Sequence, residues 1–515
     1  MTYHLEAPNV LKTNILLPSS KSISNRVLIL NALCNHPKEI NNISDCDDTR
    51  AVIKALKENN NNVDIGAAGT AMRFLTAYLS GSKGNFTITG TKRMKNRPIK
   101  ILVDALRSVG ADIKYTGKEG FPPLQIEGQS LKGGEIQLNG GVSSQYISAL
   151  LMIAPTMTNG LHIHLTGNII SRPYIDLTIQ LMRIFGVVVF EDGQTFSIPP
   201  QQYSPVENFT VESDWSAVSY WYEIVALSEN DDTTVSLSGL LPDSAQGDAS
   251  IAVFFDKLGV STEFTRSGVT LSKKQRTIND TLIFDFVTMP DMAQTAAVTC
   301  AMLDIPFIFS GLQSLKIKET DRLRALQTEL RKFGYVLKIK NDNALEWNGK
   351  KCKPEALPVV ATYEDHRMAM AFAPVSLCLK NGINIEDPEV VSKSYPSFWD
   401  DLQKAGFLIR EIAPDCCGQH EVCERDNLMA AASKDIEYYD DEELDIYSGM
   451  ASGDYDEKAI DEFSEVLYTL REEEVAGWLR SLQLRNINLP DKLKDEAFLI
   501  IEEKKPLPIS PKGRS

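Results

Sequence analysis

Two groups of charged and polar residues, far apart in the chain, have the composition needed for chemistry on anions. The stretch "LPSSKSISNR" places hydroxyls, an amide, Lys21 and Arg26 directly before an apolar run. Free backbone N–H groups at a helix start attract anions, and lysine and arginine add full charge there. Further along, Asp291 precedes another apolar stretch, and "IKETDRL" surrounds Glu319 with cations. Carboxylates interleaved with fixed cations are typical of proton transfer on a phosphorylated substrate.

Other short segments repeat this pattern at predicted helix starts. "GAAGTAMR" allows close backbone approach at Gly69, "RMKNRP" carries Arg97, and "VSSQY" is predicted to cap an apolar helix. "SRPYI" carries Tyr174, "YEDHRMAM" carries Arg367, and "VVSKSYP" carries Lys393. Any one of them is also typical of an ordinary solvated turn. Together they predict one concentrated anion site.

The elements that must position these residues recur with a long period. Five times, an amphipathic helix closes at a glycine and a β-alternating segment follows. The closing glycines are Gly110, Gly186, Gly259, Gly334 and Gly406, spaced 76, 73, 75 and 72 residues apart. Glycine just after a helix is typical of the left-handed C-cap. The period is too long for a solenoid and predicts a duplicated α/β subdomain, with a sixth, degenerate copy near the N-terminus.

Composition narrows the class of protein. The 515 residues are 43% hydrophobic and 24% charged, which is typical of a soluble globular protein of about three domains. We see no signal peptide, and no apolar run reaches the length of a membrane span. Eight cysteines do not form a disulfide framework, so we expect a cytoplasmic protein. The net charge of −16 argues against binding to nucleic acid.

The character of the chain changes after Arg410. Residues 415–515 hold 25 acidic and 12 basic residues, and they are predicted to form a small helical extension with a disordered Pro-rich end. Two groups of residues resemble metal ligands. His162 and His164 share one face of a predicted strand, but no third ligand is obvious, which favours an ordinary strand. A second group has ligand-like spacing, although a thiol-rich linker is the favoured interpretation: Cys416, Cys417, His420 and Cys423.

Seven of the motifs quoted above, in their order along the chain, resemble the 5-enolpyruvylshikimate-3-phosphate (EPSP) synthase family over about residues 3–410: LPSSKSISNR, GAAGTAMR, RMKNRP, VSSQY, SRPYI, IKETDRL and YEDHRMAM. The resemblance implies an α/β fold of two domains, each built from three βαβαββ units. One domain is expected at 14–213 and the other from 1–13 plus 214–412, with 415–515 appended.

The resemblance also implies a reaction. The enolpyruvyl group of phosphoenolpyruvate would move to the 5-hydroxyl of shikimate 3-phosphate with release of phosphate, in the shikimate pathway to chorismate and the aromatic amino acids. The implied partners are these small molecules alone, with no nucleic acid, membrane, metal or organic cofactor. We expect a monomer, with a protein partner for 415–515 left open.

Roles carry over residue by residue from the resemblance. Lys21 would lie between both substrates, Asp291 would accept the 5-hydroxyl proton, and Glu319 would serve C3 of phosphoenolpyruvate. Residues expected to hold shikimate 3-phosphate are Lys21, Ser22, Arg26, Ser143, Ser144, Gln145, Ser171, Tyr174, Asp291, Ser314 and Lys318. Residues expected to hold phosphoenolpyruvate are Lys21, Gly69, Arg97, Gln145, Arg322, Arg367 and Lys393.

Some residues depart from the family pattern. Ser19 stands where a glycine is usual, Ala67 and Ser314 where asparagines are usual, and Phe74 where a proline is usual. Ala67 and Ser314 remove particular hydrogen bonds to substrate, and Phe74 could shift the helix that presents Gly69. That shift would alter sensitivity to inhibitors that compete with phosphoenolpyruvate.

Two rival functions remain in view. The sister enolpyruvyl transferase, which acts on UDP-N-acetylglucosamine, usually carries a cysteine in a mobile loop of the first domain, yet no cysteine lies between Cys46 and Cys300. A non-catalytic anion-binding scaffold would be expected to have lost Asp291, Glu319 or Lys393, and all three are present.

Overall fold

The structure, a computed structural model, describes residues 1–58, 60–278, 280–412, 441–450, 452–453, 455–470, 475–485, 487–490 and 492–494. The chain divides into two compact units, Met1–Cys416 and Cys417–Ser515. Within these described ranges, no helix is both long enough and apolar enough to cross a membrane.

Strands and helices alternate along the first unit. The strands are β1 Thr2–Glu6, β2 Lys12–Leu16, β3 Asn62–Asp64, β4 Gly84–Thr89, β5 Asp112–Tyr115, β6 Leu124–Gly128, β7 Gly134–Asn139, β8 Leu161–Thr166, β9 Phe190–Asp192, β10 Thr195–Ile198, β11 Thr234–Ser238, β12 Val260–Phe264, β13 Gly268–Lys273, β14 Leu282–Asp285, β15 Phe307–Ser310, β16 Lys338–Lys340, β17 Ala344–Trp347, β18 Val359–Val360, β19 Ile383–Glu386 and β20 Leu408–Ile412. The α-helices are α1 Lys21–Ala32, α2 Asp47–Lys57, α3 Gly69–Ser80, α4 Lys100–Ser108, α5 Ser144–Ile153, α6 Arg172–Ile184, α7 Trp215–Leu227, α8 Ile251–Lys257, α9 Ala293–Met302, α10 Arg322–Lys332, α11 His366–Phe372 and α12 Phe398–Lys404.

The described strands form five four-stranded sheets that share one topology. Their orders are β3-β4-β6-β5, β7-β8-β10-β9, β2-β11-β13-β12, β14-β15-β17-β16 and β18-β19-β1-β20. In each sheet the first two strands are parallel and the other pairings are antiparallel. A parallel pair needs a crossover helix and an antiparallel pair needs only a short turn, so the sheets of β3–β6, β7–β10 and β14–β17 are continuous βαβαββ units. The other two sheets have the same arrangement, but each takes one strand, β2 or β1, from the start of the chain. The repeat predicted from glycine spacing is therefore confirmed.

The five closing glycines have the conformation predicted for them. Each follows a helix, and each has φ between +82° and +104°. This is the left-handed region that glycine adopts without steric cost. The turn lets the chain reverse from the helix directly into the next strand, which is why the signal is visible in the sequence.

The sixth unit is reduced to its helices. α1 and α2 lie in the N-terminal half. Among the described residues, the segments beside these helices make isolated bridges rather than strands, Ser19 with Ser213 and Asn41 with Thr210. The prediction of a degenerate copy near the N-terminus agrees with this arrangement.

Two separate hydrophobic cores lie in the first unit. One gathers apolar residues from Ile23 to Val211, and the other gathers Leu5 to Leu17 together with residues from Trp215 to Phe407. β2 pairs with β11 in the second group, so the predicted boundary between residues 13 and 14 falls inside a strand. The chain leaves the second core after Leu17, and returns to it near Asp214.

The two crossings between the cores run side by side. The backbone N–H of Ser20 donates to the carbonyl of Glu212 at 2.8 Å, and that of Asp214 donates to the carbonyl of Pro18 at 2.9 Å. The Asp214 carboxylate then accepts from the backbone N–H of Ser216 at 2.8 Å and from that of Lys21 at 3.2 Å. One aspartate thus links the first turns of α1 and α7, which belong to different cores.

The C-terminal unit has a small core of its own. Beyond a short helical turn at Glu442–Tyr447, it contains α13 Glu457–Thr469 and α14 Val475–Leu484. Phe463, Val466 and Leu467 of α13 are buried in this core. Trp478 donates from Nε1 to Asp441 at 2.9 Å. The predicted cysteine and histidine cluster and the Pro-rich end lie outside the described residues.

Candidate active site

Helix starts from both cores surround one cleft in the first unit. First-turn or capping residues of α1, α3, α5 and α6 face those of α7, α10 and α11 across it. Ser143 caps α5 through the backbone N–H of Gln145, and Asp365 caps α11 through that of Arg367. Each helix start leaves backbone N–H groups unpaired and carries partial positive charge. The cleft is therefore suited to anions.

Two adjoining pockets fill this cleft. The first is lined by Lys21, Ser22, Arg26, Thr70, Ser143, Ser144, Gln145, Ser171, Tyr174, Asp214, Ser216, Ala217, Tyr220, Asp291, Lys318, Arg367, Ser394 and Tyr395. The second is lined by Lys21, Asp48, Gly69, Thr70, Arg97, Gln145, Asp291, Lys318, Glu319, Arg322, His366 and Arg367. Both linings together hold six cations and four carboxylates, so the charge favours anionic ligands.

The structure brings together nearly all of the predicted site residues. Those expected to hold shikimate 3-phosphate line the first pocket, with one exception. That exception is Ser314, whose Oγ is buried without a hydrogen-bond partner in the described structure and which lines neither pocket. Those expected to hold phosphoenolpyruvate line the second pocket, apart from Lys393, which lies in a neighbouring groove and reaches in to Glu319.

Arg322 connects three carboxylates. Its guanidinium donates from Nε to Asp365 at 2.6 Å, from Nη1 to Asp291 at 2.8 Å and from Nη2 to Glu319 at 2.9 Å. The side chain is 2% exposed. A planar guanidinium presents several donors in fixed directions, which lysine cannot do. Arg322 therefore fixes Asp291 and Glu319 relative to each other.

Glu319 is surrounded by cations. Lys393 Nζ lies 2.6 Å from its Oε1, and Arg97 Nη1 lies 3.7 Å away. Burial would raise the pKa of Glu319, but Lys393, Arg322 and Arg97 outweigh it and hold the pKa well below its usual range. Without substrate, Glu319 is a carboxylate.

Asp291 has the same balance with different partners. Lys318 Nζ lies 3.2 Å from Oδ1, and Arg367 Nη2 lies 3.5 Å from Oδ2. Burial acts to raise its pKa, yet Lys318, Arg367 and Arg322 lower it far below the ordinary value. The two carboxylates thus share Arg322 and otherwise have separate sets of cations.

Lys21 stands where the two pockets meet and lines both. Its Nζ lies 3.8 Å from Asp48. Burial lowers the pKa of Lys21, but Asp48 and other neighbours raise it by more, so the net pKa is raised. The ammonium is therefore available to ligands in either pocket.

Comparisons with known proteins agree with this geometry. The family model of EPSP synthase (3-phosphoshikimate 1-carboxyvinyltransferase) matches residues 5–60 and 57–402. The chain belongs to the EPSP synthase family. A 3-phosphoshikimate 1-carboxyvinyltransferase from Bacteroides fragilis is 57% identical over 411 residues, covering 80% of this chain and 99% of the relative. One from Photobacterium profundum is 37% identical over 416 residues, covering 75% of this chain and 94% of the relative.

A solved structure extends the comparison to the fold. EPSP synthase from Acinetobacter baumannii matches with a TM-score of 0.65 at 21% identity, and the match covers 80% of this chain and all of that one. The first unit thus has the two-domain α/β fold of the EPSP synthase family, and the C-terminal unit lies outside the match to the family model.

Phe74 departs from the usual family proline and has a clear contact. Its ring lies 5.4 Å from the guanidinium carbon of Arg26. Arg26 is buried and donates to Thr178 Oγ1 at 2.7 Å and to the carbonyl of Ser22 at 2.9 Å, with no carboxylate paired to it among the described residues. Burial lowers its pKa to about 10, so it remains a cation. A buried cation with only neutral partners favours an anionic ligand.

Sequence reasoning missed several residues of this EPSP synthase family site. Asp365, which lies in the motif YEDHRMAM, was not linked to Arg322, and Asp48 was not connected with Lys21. His366 is 2% exposed, and neither ring nitrogen has a hydrogen-bond partner in the described structure. Burial, with Lys21 and Arg367, lowers its pKa well below the usual value. These links join segments far apart in the chain, and no local signal in the sequence identifies them.

The other candidate groups lie away from the cleft. His162 and His164 are exposed on β8, and their Nδ1 atoms contact Ser197 and Thr195 at 2.9 Å. The described cysteines are free thiols: Cys34, Cys46 and Cys300 are buried, whereas Cys352 is half-buried and Cys378 is exposed. None of these five lines either pocket.

Proposed function

We propose that the chain transfers the enolpyruvyl group of phosphoenolpyruvate to the 5-hydroxyl of shikimate 3-phosphate and releases phosphate. The observation that carries this proposal is the pair of adjoining cationic pockets that share Lys21. Two carboxylates, Asp291 and Glu319, lie in them within hydrogen-bond distance of one arginine. Two anions can be held there side by side, each next to a group able to move a proton.

Shikimate 3-phosphate is assigned to the first pocket. Its hydroxyls and phosphate match the serine-rich starts of α1 and α5, the N-cap Ser171, and the buried cation Arg26. Charge-assisted hydrogen bonds from arginine to phosphate are the strongest that such a pocket offers. Lys318 and Tyr174 complete the assigned contacts. The predicted contact between Ser314 and shikimate 3-phosphate stays a prediction, because Ser314 does not line the pocket. The buried Oγ would gain a hydrogen-bond partner if the bound ligand reached it.

Phosphoenolpyruvate is assigned to the second pocket. Arg97 and Arg367 would bind its carboxylate and phosphate, together with the backbone at Gly69 and the ammonium of Lys393. Gly69 has a physical reason to be glycine, since a Cβ there would lie 2.5 Å from Nη1 of Arg97. Any larger residue would displace the guanidinium from the pocket.

Acid–base roles follow from position. Asp291 lies at the shared wall and would accept the proton of the 5-hydroxyl as its oxygen attacks C2 of phosphoenolpyruvate. Glu319 would deliver a proton to C3 and take one back when the tetrahedral intermediate loses phosphate. Lys21 would offset charge on both substrates, and no metal or organic cofactor is assigned.

Substrate binding is expected to raise the pKa of Glu319, so that it can act as an acid. In the free cleft, Lys393, Arg322 and Arg97 keep its pKa low. Phosphoenolpyruvate would bring negative charge to those same cations, so each would stabilise the Glu319 carboxylate less. The pKa of Glu319 therefore rises when the substrate arrives, and the acid form becomes available only when there is a C3 to protonate.

We also propose that the two cores are two domains that close on substrate. The first would run from about residue 18 to 213, and the second would combine the N-terminal strands with 214–412. Arg93 contacts the Glu364 carboxylate and donates to the carbonyl of Tyr363 at 3.1 Å, and Ser392 Oγ donates to Asp47 at 2.6 Å. These contacts join residues of the two cores across the cleft, which supports a closed arrangement.

The remaining assignments are a cytoplasmic monomer and a protein partner for residues 415–515. Free thiols suit a reducing compartment. The acidic composition of the tail gives it no electrostatic attraction to the anionic substrates, which favours a role away from the cleft.

The test is turnover by the purified full chain. Mixed with shikimate 3-phosphate and phosphoenolpyruvate, it should release phosphate at a rate that a chelator does not change. A chain that is folded but inactive with this pair, and active with UDP-N-acetylglucosamine, would belong to the sister activity. A folded chain that binds both ligands and turns over neither would be a scaffold.

A further inference from the structure

Asp248 is a buried carboxylate directly behind the first pocket. It lies in the 3₁₀ turn Gly247–Ser250 and is 4% exposed. The Tyr174 hydroxyl donates to it, with 3.1 Å to each carboxylate oxygen, and Ser216 Oγ donates to Oδ2. Tyr174 and Ser216 line the first pocket, whereas Asp248 does not.

The contact joins the two cores. Tyr174 belongs to α6 on one side, and Ser216 and Asp248 belong to the other side. The turn is also pressed against the start of α6, because a Cβ built on Gly247 would lie 2.2 Å from Cβ of Pro173. This close approach allows the carboxylate to reach the phenol only when the two sides are together.

We propose that Asp248 is a positioning residue that orients the hydroxyls of Tyr174 and Ser216, so that this wall of the pocket accepts hydrogen bonds from the ring hydroxyls of the substrate. An ionised carboxylate can only accept, so both hydroxyl hydrogens point towards Asp248. Their free lone pairs then face the pocket. This wall suits a hydroxyl donor and disfavours an additional anion.

This inference rests on the proposed function, since it names the part of shikimate 3-phosphate that meets this wall. It gives Asp248 no contact with the substrate and no proton to transfer. The consequence is selectivity for a ring that presents free hydroxyls to this wall.

The charges around Asp248 agree with an acceptor role near neutral pH. Burial raises the pKa of Asp248 to about 6, the nearby Arg367 and the bond from Ser216 lower it, and Asp291 and Asp214 raise it. Burial together with Asp248 also raises the pKa of Tyr174 well above its usual value, which keeps the phenol protonated. Above about pH 6 the carboxylate accepts from both hydroxyls, and below it one donor must turn away.

The principal test is Asp248→Asn in the full chain. The amide keeps the size but offers one acceptor and a competing donor. KM for shikimate 3-phosphate should rise about 5- to 100-fold, the value of two neutral hydrogen bonds from the substrate to the hydroxyls of Tyr174 and Ser216. kcat and KM for phosphoenolpyruvate should change by less than about threefold, since a contact outside the reacting centre affects binding uniformly. Asp256→Asn on α8, whose exposed carboxylate pairs with Lys274, is the matched control and should leave both unchanged.

Two further readouts separate positioning from simple structural damage. In a cycle with Tyr174→Phe, the Asn substitution should raise KM by a smaller factor than it does in the wild type, because one of the two hydroxyls that Asp248 orients is already gone. Ser216→Ala, a milder variant, removes a bond that lowers the Asp248 pKa, so the acid limb of kcat/KM for shikimate 3-phosphate should move to higher pH. The substrate phosphate titrates near the same pH in every variant. The Asp256→Asn control shows the acid limb that this titration alone produces, and the limb of Ser216→Ala is compared with it.

The outcomes are distinct. An active wild-type chain in which Asp248→Asn leaves KM for shikimate 3-phosphate unchanged, or in which the cycle is additive, would overturn the inference alone. If Asp248→Asn does not fold, the acid limb of Ser216→Ala decides, and an unshifted limb overturns it. A folded wild-type chain without turnover would instead overturn the proposed function.

Discussion

Replacing Glu319 by glutamine tests the acid–base assignment most directly. The amide fits the same space and keeps one acceptor, so Lys393 at 2.6 Å or Arg322 at 2.9 Å can still be paired. It cannot deliver a proton to C3. Proton transfer typically contributes about 10²–10⁴-fold, or about 3–5 kcal/mol of the barrier, and kcat should fall by that factor. KM for phosphoenolpyruvate should stay level or fall, because a negative charge that competes for Arg97 and Lys393 has been removed.

The assay is the initial rate of phosphate release with each substrate varied in turn. Glu389→Gln, at an exposed position, is the control for loss of one carboxylate and should match the wild type. Retention of kcat within about fivefold would refute the proton-transfer role, since it is below the low end expected for such a group. An unchanged kcat with a KM for phosphoenolpyruvate raised more than about tenfold would show instead that Glu319 binds substrate.

Three other outcomes are expected. Phe74→Leu should raise KM for shikimate 3-phosphate by about 2- to 30-fold in initial-rate assays, since it removes the cation–π contact with Arg26, worth about 0.5–2 kcal/mol; an unchanged KM would contradict this. Burial raises the pKa of Glu223 well above normal. The free energy of unfolding is therefore highest below the unfolded pKa of this carboxyl, where it is protonated, and it falls as pH rises towards the folded pKa. In thermal unfolding, Glu223→Gln should therefore raise Tm more at pH 8 than at pH 5, unlike the exposed control Glu229→Gln. A chain ending at Pro414 should fold and keep kcat within a few-fold, because every proposed site residue precedes it; inactivity with an intact circular dichroism spectrum would show that the tail contributes to the site.

Local signals carried the sequence-based prediction of the fold. The closing glycines marked the end of a helix and the start of a strand in each unit, because the helix C-cap and the first residues of the strand are only a few residues apart. Polar caps such as Ser143 marked helix starts for the same reason. Strand pairing was out of reach, since β1 completes a sheet with β19 and β20 from the far end of the first unit.

Most residues of the site were likewise predictable from the sequence, whereas the contacts between them were not. Residue types and motif order were sufficient to name all six cations that line the two pockets, but not Asp48, Asp214 or His366. They could not show that Arg322 holds three carboxylates, or that Phe74 lies against Arg26, because such contacts depend on how helices from separate units pack. Asp248 was missed for a related reason: its partner Tyr174 comes from the other core, and its own neighbours in sequence give no sign of it.

The nested path of the chain has a consequence for folding during synthesis on the ribosome. Residues of the first core are continuous, so that core can be complete soon after residue 213 is added. β1 cannot finish its sheet early, since Thr2 pairs with Ile412, whereas β2 waits only for β11. β1 must therefore stay unpaired through most of the synthesis of the first unit, when it is exposed to wrong partners. β20 can join β1 while the chain is still tethered, because at least residues 413–515 are added after it, which takes roughly 5–20 s at about 5–20 residues per second.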